Sequence, residues 1–399
     1  MRVTRRELMR QVAGSAVFAA MPRLLRGEGV SPSAVDNGTI TGAGSLKAHA
    51  AARGLLAGCA VNARLFREDE GFRKLLAEQY SIVVPENCLK WNILRPTAET
   101  YSFTDADSLV EFAEAHGMKV RGHNFVWHEA IPSWFAGTVN KENAQKFLVD
   151  HIRTVGGRYK GKIHSWDVVN EAIWIKDGRA DGLRSSSPWF ELLGPGYIDL
   201  AFRTAREADP KALLTYNEYG IEYDNDEEGK KRGATLALLR RMKADNVPLD
   251  ALGIQSHIKA TSKDGFGKGL TELREGAKAL GLQVFVTEMD VNDDAVGTDD
   301  VAERDRIVAG VYRDYLTKIL EGPEVKAVLT WGATDKNSWL NTRNIRKVHP
   351  ERLQRPLPFD ADYVPAPAFF AMRECFDKAK KRAAEDGGSL GGRNTGLLH

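Results

Sequence analysis

The feature that most restricts the fold of this chain is an eightfold alternation of strand-like and helix-like segments. The strand-like segments are short, apolar and often β-branched, as is typical of strands covered on both faces. They span residues 55–62, 81–87, 119–127, 165–171, 213–219, 251–257, 283–289 and 327–333. Segments with the apolar periodicity of helices lie between them. Eight such units with right-handed crossovers predict an α/β fold, a closed (β/α)8 TIM barrel.

A doubly wound open sheet is the alternative for such a pattern. It requires a glycine-rich phosphate turn after the first strand, but residues 61–65 (Val-Asn-Ala-Arg-Leu) do not have the G-x-G-x-x-G spacing. A length of 399 residues suits one large barrel, and no long linker interrupts the eight units. We therefore predict a single barrel domain over residues 45–385.

Charge and cysteine content narrow the class of protein further. Lys and Arg number 56 against 54 Asp and Glu, which lacks the basic excess of nucleic-acid-binding surfaces. The three cysteines cannot all pair within the chain. Cys59 and Cys88 lie in or beside apolar segments, which favours buried free thiols, with a bridge between neighbouring strands as the alternative. We expect a monomer without a nucleic-acid partner.

Both ends of the chain are predicted to lie outside the barrel. Residues 4–10 (Thr-Arg-Arg-Glu-Leu-Met-Arg) match a twin-arginine export signal, and the apolar stretch 12–20 that follows is too short for a transmembrane helix. We assign residues 1–34 to a signal peptide and pre-domain segment, and expect a periplasmic or secreted protein that is free of the membrane after export. The Gly- and Ser-rich tail, residues 386–399, is predicted to be flexible.

The predicted strands end in an unusually polar and aromatic set of residues. Functional groups of such barrels gather at the carboxyl ends of the strands. Glu171 and Glu288 each follow an apolar strand, and glycoside hydrolysis requires two carboxyl groups, one to protonate the leaving oxygen and one to attack or to activate water. Strand ends also supply Asn62, Glu86, Asn87, Lys90, His123, Trp127, Asn170, Asn217, Glu218, Tyr219, Gln255, His257, Asp290, Trp331, Asp335 and Trp339. We expect them to converge on one cavity.

Six motifs in order carry a resemblance to a known family. They are residues 87–91 (Asn-Cys-Leu-Lys-Trp), 122–128 (Gly-His-x-x-Val-Trp-His), 166–171 (Trp-Asp-Val-Val-Asn-Glu), 255–257 (Gln-Ser-His), 287–290 (Thr-Glu-Met-Asp) and 330–335 (Thr-Trp-Gly-x-Thr-Asp). Together they resemble the signature of glycoside hydrolase family 10, whose members are retaining endo-β-1,4-xylanases with a (β/α)8 fold. Each motif alone is moderately specific, but six in register over roughly residues 50–380 are very specific.

The chain departs from the commonest family wording near the third strand. Asn124 and Phe125 stand where Thr-Leu is more usual, and residues 129–131 (Glu-Ala-Ile) follow where Ser-Gln is frequent. These changes lie at the rim of the expected cleft. They bring subsite preference into question rather than the reaction.

The resemblance implies that Glu171 is the acid/base and Glu288 the nucleophile of a double displacement through a covalent glycosyl-enzyme intermediate. The acid needs a high pKa, whereas the nucleophile must stay ionised and therefore needs hydrogen-bond donors around it. His257, on a neighbouring strand, is expected to donate to Glu288, with Asp290 orienting the imidazole.

The resemblance also implies subsite roles. Asn170 is expected to bind the sugar 2-hydroxyl, and Gln255 to be a donor beside the nucleophile. The residues implied to line the glycone side are Glu86, Asn87, Lys90, His123 and Trp127, with Trp331 and Trp339 as a wall. Indole faces pack well against the C–H faces of sugars. The two indoles are expected to leave little space for a hydroxymethyl group, so that a pentose is preferred over a hexose. Tyr219 is expected on the aglycone side, and Glu218 is interpreted as structural. The implied substrates are xylan and xylo-oligosaccharides, with no cofactor.

Other site chemistries fit the sequence less well. The histidines at 123, 128, 164 and 257 lack the H-E-x-x-H spacing, so no catalytic metal is expected. Ser256 is not in a G-x-S-x-G turn, which argues against a serine hydrolase. A β-1,4-glucanase or mixed-specificity glycosidase remains an alternative. A non-catalytic xylan-binding barrel is another, although retention of both Glu171 and Glu288 argues against it.

Overall fold

Eight parallel strands close into a barrel in the computed structural model, which describes residues 39–342 and 345–382. The strands are β1 Leu56–Val61, β2 Ile82–Pro85, β3 Lys119–Val126, β4 Ser165–Asn170, β5 Leu213–Glu218, β6 Ala251–Ile254, β7 His257–Lys259, β8 Gln283–Asn292 and β9 Val325–Thr330, of which the short β7 is additional to the eight and pairs with β8. Pairing follows chain order from β1 to β6, then β6 pairs with β8, β8 with β9, and β9 closes onto β1. The predicted (β/α)8 barrel is confirmed.

Helices surround the strands. The α-helices of the described residues are α1 Leu46–Ala51, α2 Ala63–Glu68, α3 Glu70–Gln79, α4 Trp91–Leu94, α5 Thr104–Ala115, α6 Phe135–Thr138, α7 Ala144–Arg158, α8 Pro188–Leu193, α9 Tyr197–Ala208, α10 Asp226–Ala244, α11 Gly267–Ala279, α12 Val301–Ile319 and α13 Pro367–Lys378. Side-chain caps set several helix starts: Asp69 accepts from Phe72 N, and Asn225 accepts from Glu228 N. No described helix combines the length and apolar character that a membrane crossing requires. The predicted export segment and tail lie outside the described residues.

Packed side chains, both apolar and charged, fill the inside of the barrel. A small buried cluster holds Ala60, Ile82, Val84, Ala251, Phe285, Ala327, Leu329 and Trp331. Within the barrel, Arg121 forms a buried ion pair with Asp167, and its guanidinium lies 5.5 Å from the Phe285 ring centroid. Because packed side chains occupy the interior, polar residues near the carboxyl ends are the ones that can meet a ligand.

The predicted strand at residues 251–257 is interrupted. β6 ends at Ile254, and pairing resumes only at His257, the first residue of β7. Between them Ser256 takes a left-handed backbone conformation, with φ of 65°. The apolar pattern of residues 251–257 predicts a continuous strand, because a left-handed conformation at a serine leaves no mark in that pattern.

The cysteine prediction is confirmed in favour of free thiols. Cys59 in β1, Cys88 after β2 and Cys375 in α13 are all buried and unpaired with one another. Burial raises the pKa of the Cys59 thiol well above its ordinary value, and raises that of Cys88 to about 12. Both thiols therefore stay protonated and behave as small apolar groups.

The first and last described segments meet at the amino-terminal ends of the strands. The backbone N–H of Arg382 donates to Arg53 O at 2.9 Å, just before β1. The Arg382 guanidinium donates to the carbonyl oxygen of Val325, the first residue of β9, at 2.6 Å. His49 in α1 also contacts Asp377 in α13 at 2.7 Å. These hydrogen bonds hold the two segments together at the amino-terminal ends of the strands.

Candidate active site

A cleft of about 740 Å³ lies at the carboxyl ends of the strands. It is lined by every residue predicted to act on or bind substrate: Glu86, Asn87, Lys90, His123, Trp127, Asn170, Glu171, Tyr219, Gln255, His257, Glu288, Trp331 and Trp339. Asn62, expected in the cavity, and Glu129, expected at its rim, also line it. So do Asn337, Ser338 and Thr342, which the sequence did not indicate. A cavity of about 800 Å³ beside residues 348–355 contains neither Glu171 nor Glu288. We therefore assign the candidate chemistry to the cleft.

Glu171 follows β4 and is held in a left-handed backbone conformation, with φ of 59°. Such conformations are uncommon for non-glycine residues and cluster at functional sites. The backbone is fixed on both sides, since Glu171 N donates to Asn217 O at 2.9 Å and Arg184 Nε donates to Glu171 O at 2.9 Å. The side chain therefore points in a direction set by its neighbours.

The surroundings of Glu171 favour its protonated form. Burial raises the pKa of this carboxyl group, and the negative charge of Glu218 raises it further. A hydrogen bond from Gln255 Nε2 to Glu171 Oε1, at 2.9 Å, acts in the opposite direction but does not outweigh them. His128 Nδ1 lies 3.9 Å from Glu171 Oε2. A carboxyl group in this state can donate a proton.

The surroundings of Glu288, at the end of the apolar part of β8, favour the ionised form. Burial alone raises the pKa of this carboxyl group, but the hydrogen bond from His257 and the positive charges of His123, His257 and Lys90 outweigh it, so the pKa is lowered. His257 Nε2 lies 3.3 Å from Glu288 Oε2. Asn217 Nδ2 donates to Glu288 Oε1 at 2.7 Å.

Asp290 holds His257 in place. Its Oδ1 lies 2.9 Å from His257 Nδ1, so both hydrogen bonds expected of this histidine are present. Burial lowers the pKa of His257, but Asp290 and Glu288 outweigh this and raise it well above its usual value. The imidazole is therefore a cationic donor to Glu288. Asp290 Oδ2 also accepts from Trp339 Nε1 at 2.7 Å, which ties the predicted indole wall to the same carboxylate.

A chain of amide side chains connects the two cleft carboxyl groups. Asn170 Oδ1 accepts from Gln255 Nε2 at 3.2 Å and from Asn217 Nδ2 at 2.9 Å. Gln255 continues to Glu171, and Asn217 continues to Glu288. The two carboxyl groups are thus held by one hydrogen-bond network.

This network corrects one expectation and adds one residue. Gln255 was expected to donate beside Glu288, but its amide donates to Glu171 and Asn170. Asn217 supplies the donor to Glu288 instead. The only sequence signal for Asn217 is its position at the end of an apolar strand.

Lys90 lies between two indoles on the predicted glycone side. Its Nζ is 5.0 Å from the Trp127 ring centroid and 5.6 Å from that of Trp331, and it donates to Asn87 Oδ1 at 3.0 Å. Burial lowers the pKa of Lys90, while the charges of Glu288 and Glu86 act against this. A cation framed by aromatic faces suits a sugar, whose C–H faces stack while its hydroxyl groups accept hydrogen bonds.

The remaining predicted residues occupy the edges of the cleft. Asn62 Nδ2 donates to Glu86 Oε2 at 2.9 Å, and His123 Nδ1 lies 2.9 Å from Asp167 Oδ2. Tyr219 OH accepts from Arg184 Nη2 at 3.3 Å. Among the described residues, no group of three or more His, Cys, Asp or Glu side chains is arranged to hold a metal ion.

Glu218 does not reach the cleft. It is completely buried, pairs with Lys231 Nζ at 2.8 Å and accepts from Ile173 N at 3.1 Å. These contacts agree with its interpretation as a structural residue. Its charge nevertheless acts on Glu171, as described above, which the sequence did not indicate.

Comparison with known proteins identifies the family. The model of glycosyl hydrolase family 10 matches residues 45–375. The endo-1,4-beta-xylanase B of Thermotoga neapolitana is 35% identical over 315 residues, which cover 78% of this chain and 85% of that protein. Crystal structures of xylanase 10B from Thermotoga maritima (TM-score 0.73, 35% identity, 84% of this chain and 98% of that one) and of xylanase 10B from Thermotoga petrophila RKU-1 with xylobiose (TM-score 0.73, 34% identity, 84% and 97%) are similar. The chain belongs to glycosyl hydrolase family 10.

Proposed function

We propose that this protein is an endo-1,4-β-xylanase that hydrolyses internal β-1,4 linkages of xylan with retention of configuration. One observation carries the proposal: two carboxyl groups share a cleft, and the pKa of Glu171 is raised while that of Glu288 is lowered. Relatives named endo-1,4-beta-xylanases and a relative solved with xylobiose support the choice of substrate.

In the first step, Glu288 attacks the anomeric carbon while Glu171 gives its proton to the glycosidic oxygen. The bond between the anomeric carbon and this oxygen breaks, the shortened chain leaves with the proton, and a glycosyl ester of Glu288 remains. His257 and Asn217 hold the attacking carboxylate in position through their hydrogen bonds.

In the second step, Glu171 is a carboxylate and acts as a base. It takes a proton from water while the water oxygen attacks the anomeric carbon, which breaks the ester and restores ionised Glu288. Two inversions at one carbon return the β configuration. Asn170, between Gln255 and Asn217, is our candidate for contact with the sugar 2-hydroxyl next to the reacting carbon.

Specificity for a pentose is part of the proposal. Trp331 and Trp339 both line the cleft, and the ring centroid of Trp339 lies 5.2 Å from that of His257, the partner of Glu288. Indoles this near the nucleophile leave little space for a hydroxymethyl group on the bound ring. A β-1,4-glucanase would need that space.

The test is the product profile from xylohexaose followed over time, with proton NMR of the first anomer. We expect internal cleavage and a β-anomer as the first product. An α-anomer would reject retention, and equal turnover of xylan and carboxymethyl cellulose would reject the pentose preference. Retention on a xylan affinity gel without sugar release would indicate a binding protein.

We propose export through the twin-arginine pathway on the basis of residues 4–10. Replacing Arg5 and Arg6 together by lysine is expected to leave active, uncleaved precursor inside the cell. Unchanged export of that variant would reject the pathway. We also propose that the protein acts as a monomer, which light scattering after gel filtration tests.

A further inference from the structure

A buried carboxylate behind the cleft has no part in the mechanism above. Glu222 lies in the loop between β5 and α10, is only 3% exposed and does not line the cleft. Its Oε2 accepts from Ile221 N at 2.7 Å, and its Oε1 accepts from Ser256 N at 2.8 Å. The second bond reaches across from its own loop to the break between β6 and β7.

The break that Glu222 holds contacts both cleft carboxyl groups. Ser256 has Gln255 on one side, whose amide donates to Glu171 at 2.9 Å. On its other side is His257, whose imidazole lies 3.3 Å from Glu288. A shift of the Ser256 backbone would therefore move the partners of both Glu171 and Glu288.

Ser256 needs this support because of its conformation. With φ of 65° it lies outside the strand ladder, and its buried N–H has Glu222 as its acceptor. A buried donor without an acceptor costs about 1–3 kcal/mol. The Ser256 hydroxyl has a separate contact, 2.6 Å from Tyr315 OH, which does not replace the backbone bond.

The loop that carries Glu222 is itself fixed. Arg232 Nη1 donates to Ile221 O at 3.0 Å and to Tyr223 O at 3.1 Å, on either side of Glu222. Hydrogen bonds thus connect Arg232 in α10 to the loop, and Glu222 in the loop to the β6–β7 break.

We propose that Glu222 is a positioning residue that fixes the Gln255–Ser256–His257 break and thereby aligns Glu171 with Glu288. It touches neither carboxyl group, so it acts through Gln255 and His257. The inference rests on the proposed function, in which these two groups perform the reaction.

Glu222→Gln tests the inference, with Asp224→Asn as the matched control. Glutamine keeps the shape but replaces one acceptor oxygen by an NH2 group, which cannot accept from a backbone N–H. Asp224, in the same loop, accepts from Lys268 N at 3.0 Å and from Gly269 N at 2.5 Å, at the start of α11 rather than at the break. With an aryl β-xylobioside we expect Glu222→Gln to lower kcat at least about tenfold, because small misplacements of catalytic groups cost up to 10²-fold. The KM of Glu222→Gln should stay near the wild-type value. Both kcat and KM of Asp224→Asn should stay near wild-type.

The pH profile separates positioning from stability. Weaker alignment of His257 raises the pKa of Glu288, and a weaker bond from Gln255 raises that of Glu171. Both limbs of the kcat/KM profile of Glu222→Gln should therefore move to higher pH. A merely structural role lowers the amount of folded enzyme and leaves both limbs in place.

Glu222→Asp and thermal unfolding complete the test. Aspartate keeps both acceptor oxygens on a shorter side chain, so we expect it to recover part of kcat. The inference would be overturned if Glu222→Gln folds and has the wild-type kcat and the wild-type pH profile of kcat/KM. It would also be overturned if Glu222→Gln and Glu222→Asp both fail to fold. Wild-type enzyme that cleaves neither aryl xylosides nor glucosides would instead remove the proposed function, and this inference with it.

Discussion

Glu171 and Glu288 have the same side chain and share one cleft, yet their surroundings differ. Around Glu171 lie neutral amides and the buried negative charge of Glu218. Around Glu288 lie a cationic imidazole, Lys90 and the amide of Asn217. Burial raises both pKa values, so the neighbouring charges decide the difference. The charged residues that surround the two carboxyl groups therefore set which one is the acid and which one is the nucleophile.

The largest effect is expected from removing the nucleophile. Glu288→Gln keeps the shape and can still meet His257, but an amide does not form the glycosyl ester. We expect kcat to fall on the order of 10⁶-fold, as when a covalent nucleophile is removed from another hydrolase, with the unfolding midpoint close to wild-type. Steady-state rates on xylotetraose and a thermal melt measure both. Appreciable residual activity would place the nucleophile elsewhere.

Removing the acid should have a smaller effect that depends on the leaving group. Glu171→Ala is expected to lose about 10²–10⁴-fold on xylan, the usual contribution of general acid–base catalysis. An aryl xylobioside with an acidic phenol needs little protonation, so its first step should be nearly unaffected. Azide should then restore turnover and yield a β-glycosyl azide. Equal losses on both substrates without rescue would contradict the acid/base role.

Glu218→Gln is expected to change the pKa of Glu171 and to leave that of Glu288 unchanged. Removing the negative charge lowers the pKa of Glu171, so protonated acid is lost at lower pH and the basic limb moves to lower pH. The acidic limb, set by Glu288, should stay. Because Lys231 is left buried without its partner, unfolding free energy should fall by about 3–5 kcal/mol. A basic limb that does not move would show that burial alone sets the pKa of Glu171.

The smallest effect is expected at the wall on the Glu288 side. Trp339→Ala should widen the cleft and raise the ratio of cellobioside to xylobioside turnover, by up to about tenfold for one accommodated hydroxymethyl group. Trp339→Phe keeps an aromatic face but loses the donor to Asp290. It should preserve the ratio and change only the pH profile. Equal ratios in all three enzymes would contradict the steric role.

The sequence predicted the barrel because buried parallel strands and amphipathic helices have distinct periods. It also predicted most of the residues that face the cleft, since strand ends converge in a closed barrel. Glu218 and Asp335, which were also expected there, do not line it. It did not predict the break at Ser256, the hydrogen bond from Gln255 to Glu171 or the one from Asn217 to Glu288. The break involves contacts distant in sequence, from Glu222 and Tyr315 to Ser256. The two donors depend on side-chain directions that strand alternation does not give.

The influence of Glu218 on Glu171 was missed for a related reason. Position in the sequence indicates that Glu218 ends a strand, but not that its side chain turns away from the cleft to meet Lys231. Electrostatic effects act through space, and their sign depends on distances that alternation does not contain.

The contact between Arg53 and Arg382 has a practical consequence. The two segments lie side by side at the end of the barrel away from the cleft. A short peptide should be able to join them, so that new termini can be opened in a surface loop by circular permutation. A partner domain attached at this end of the barrel would lie away from the cleft and leave the path of a long polymer unobstructed.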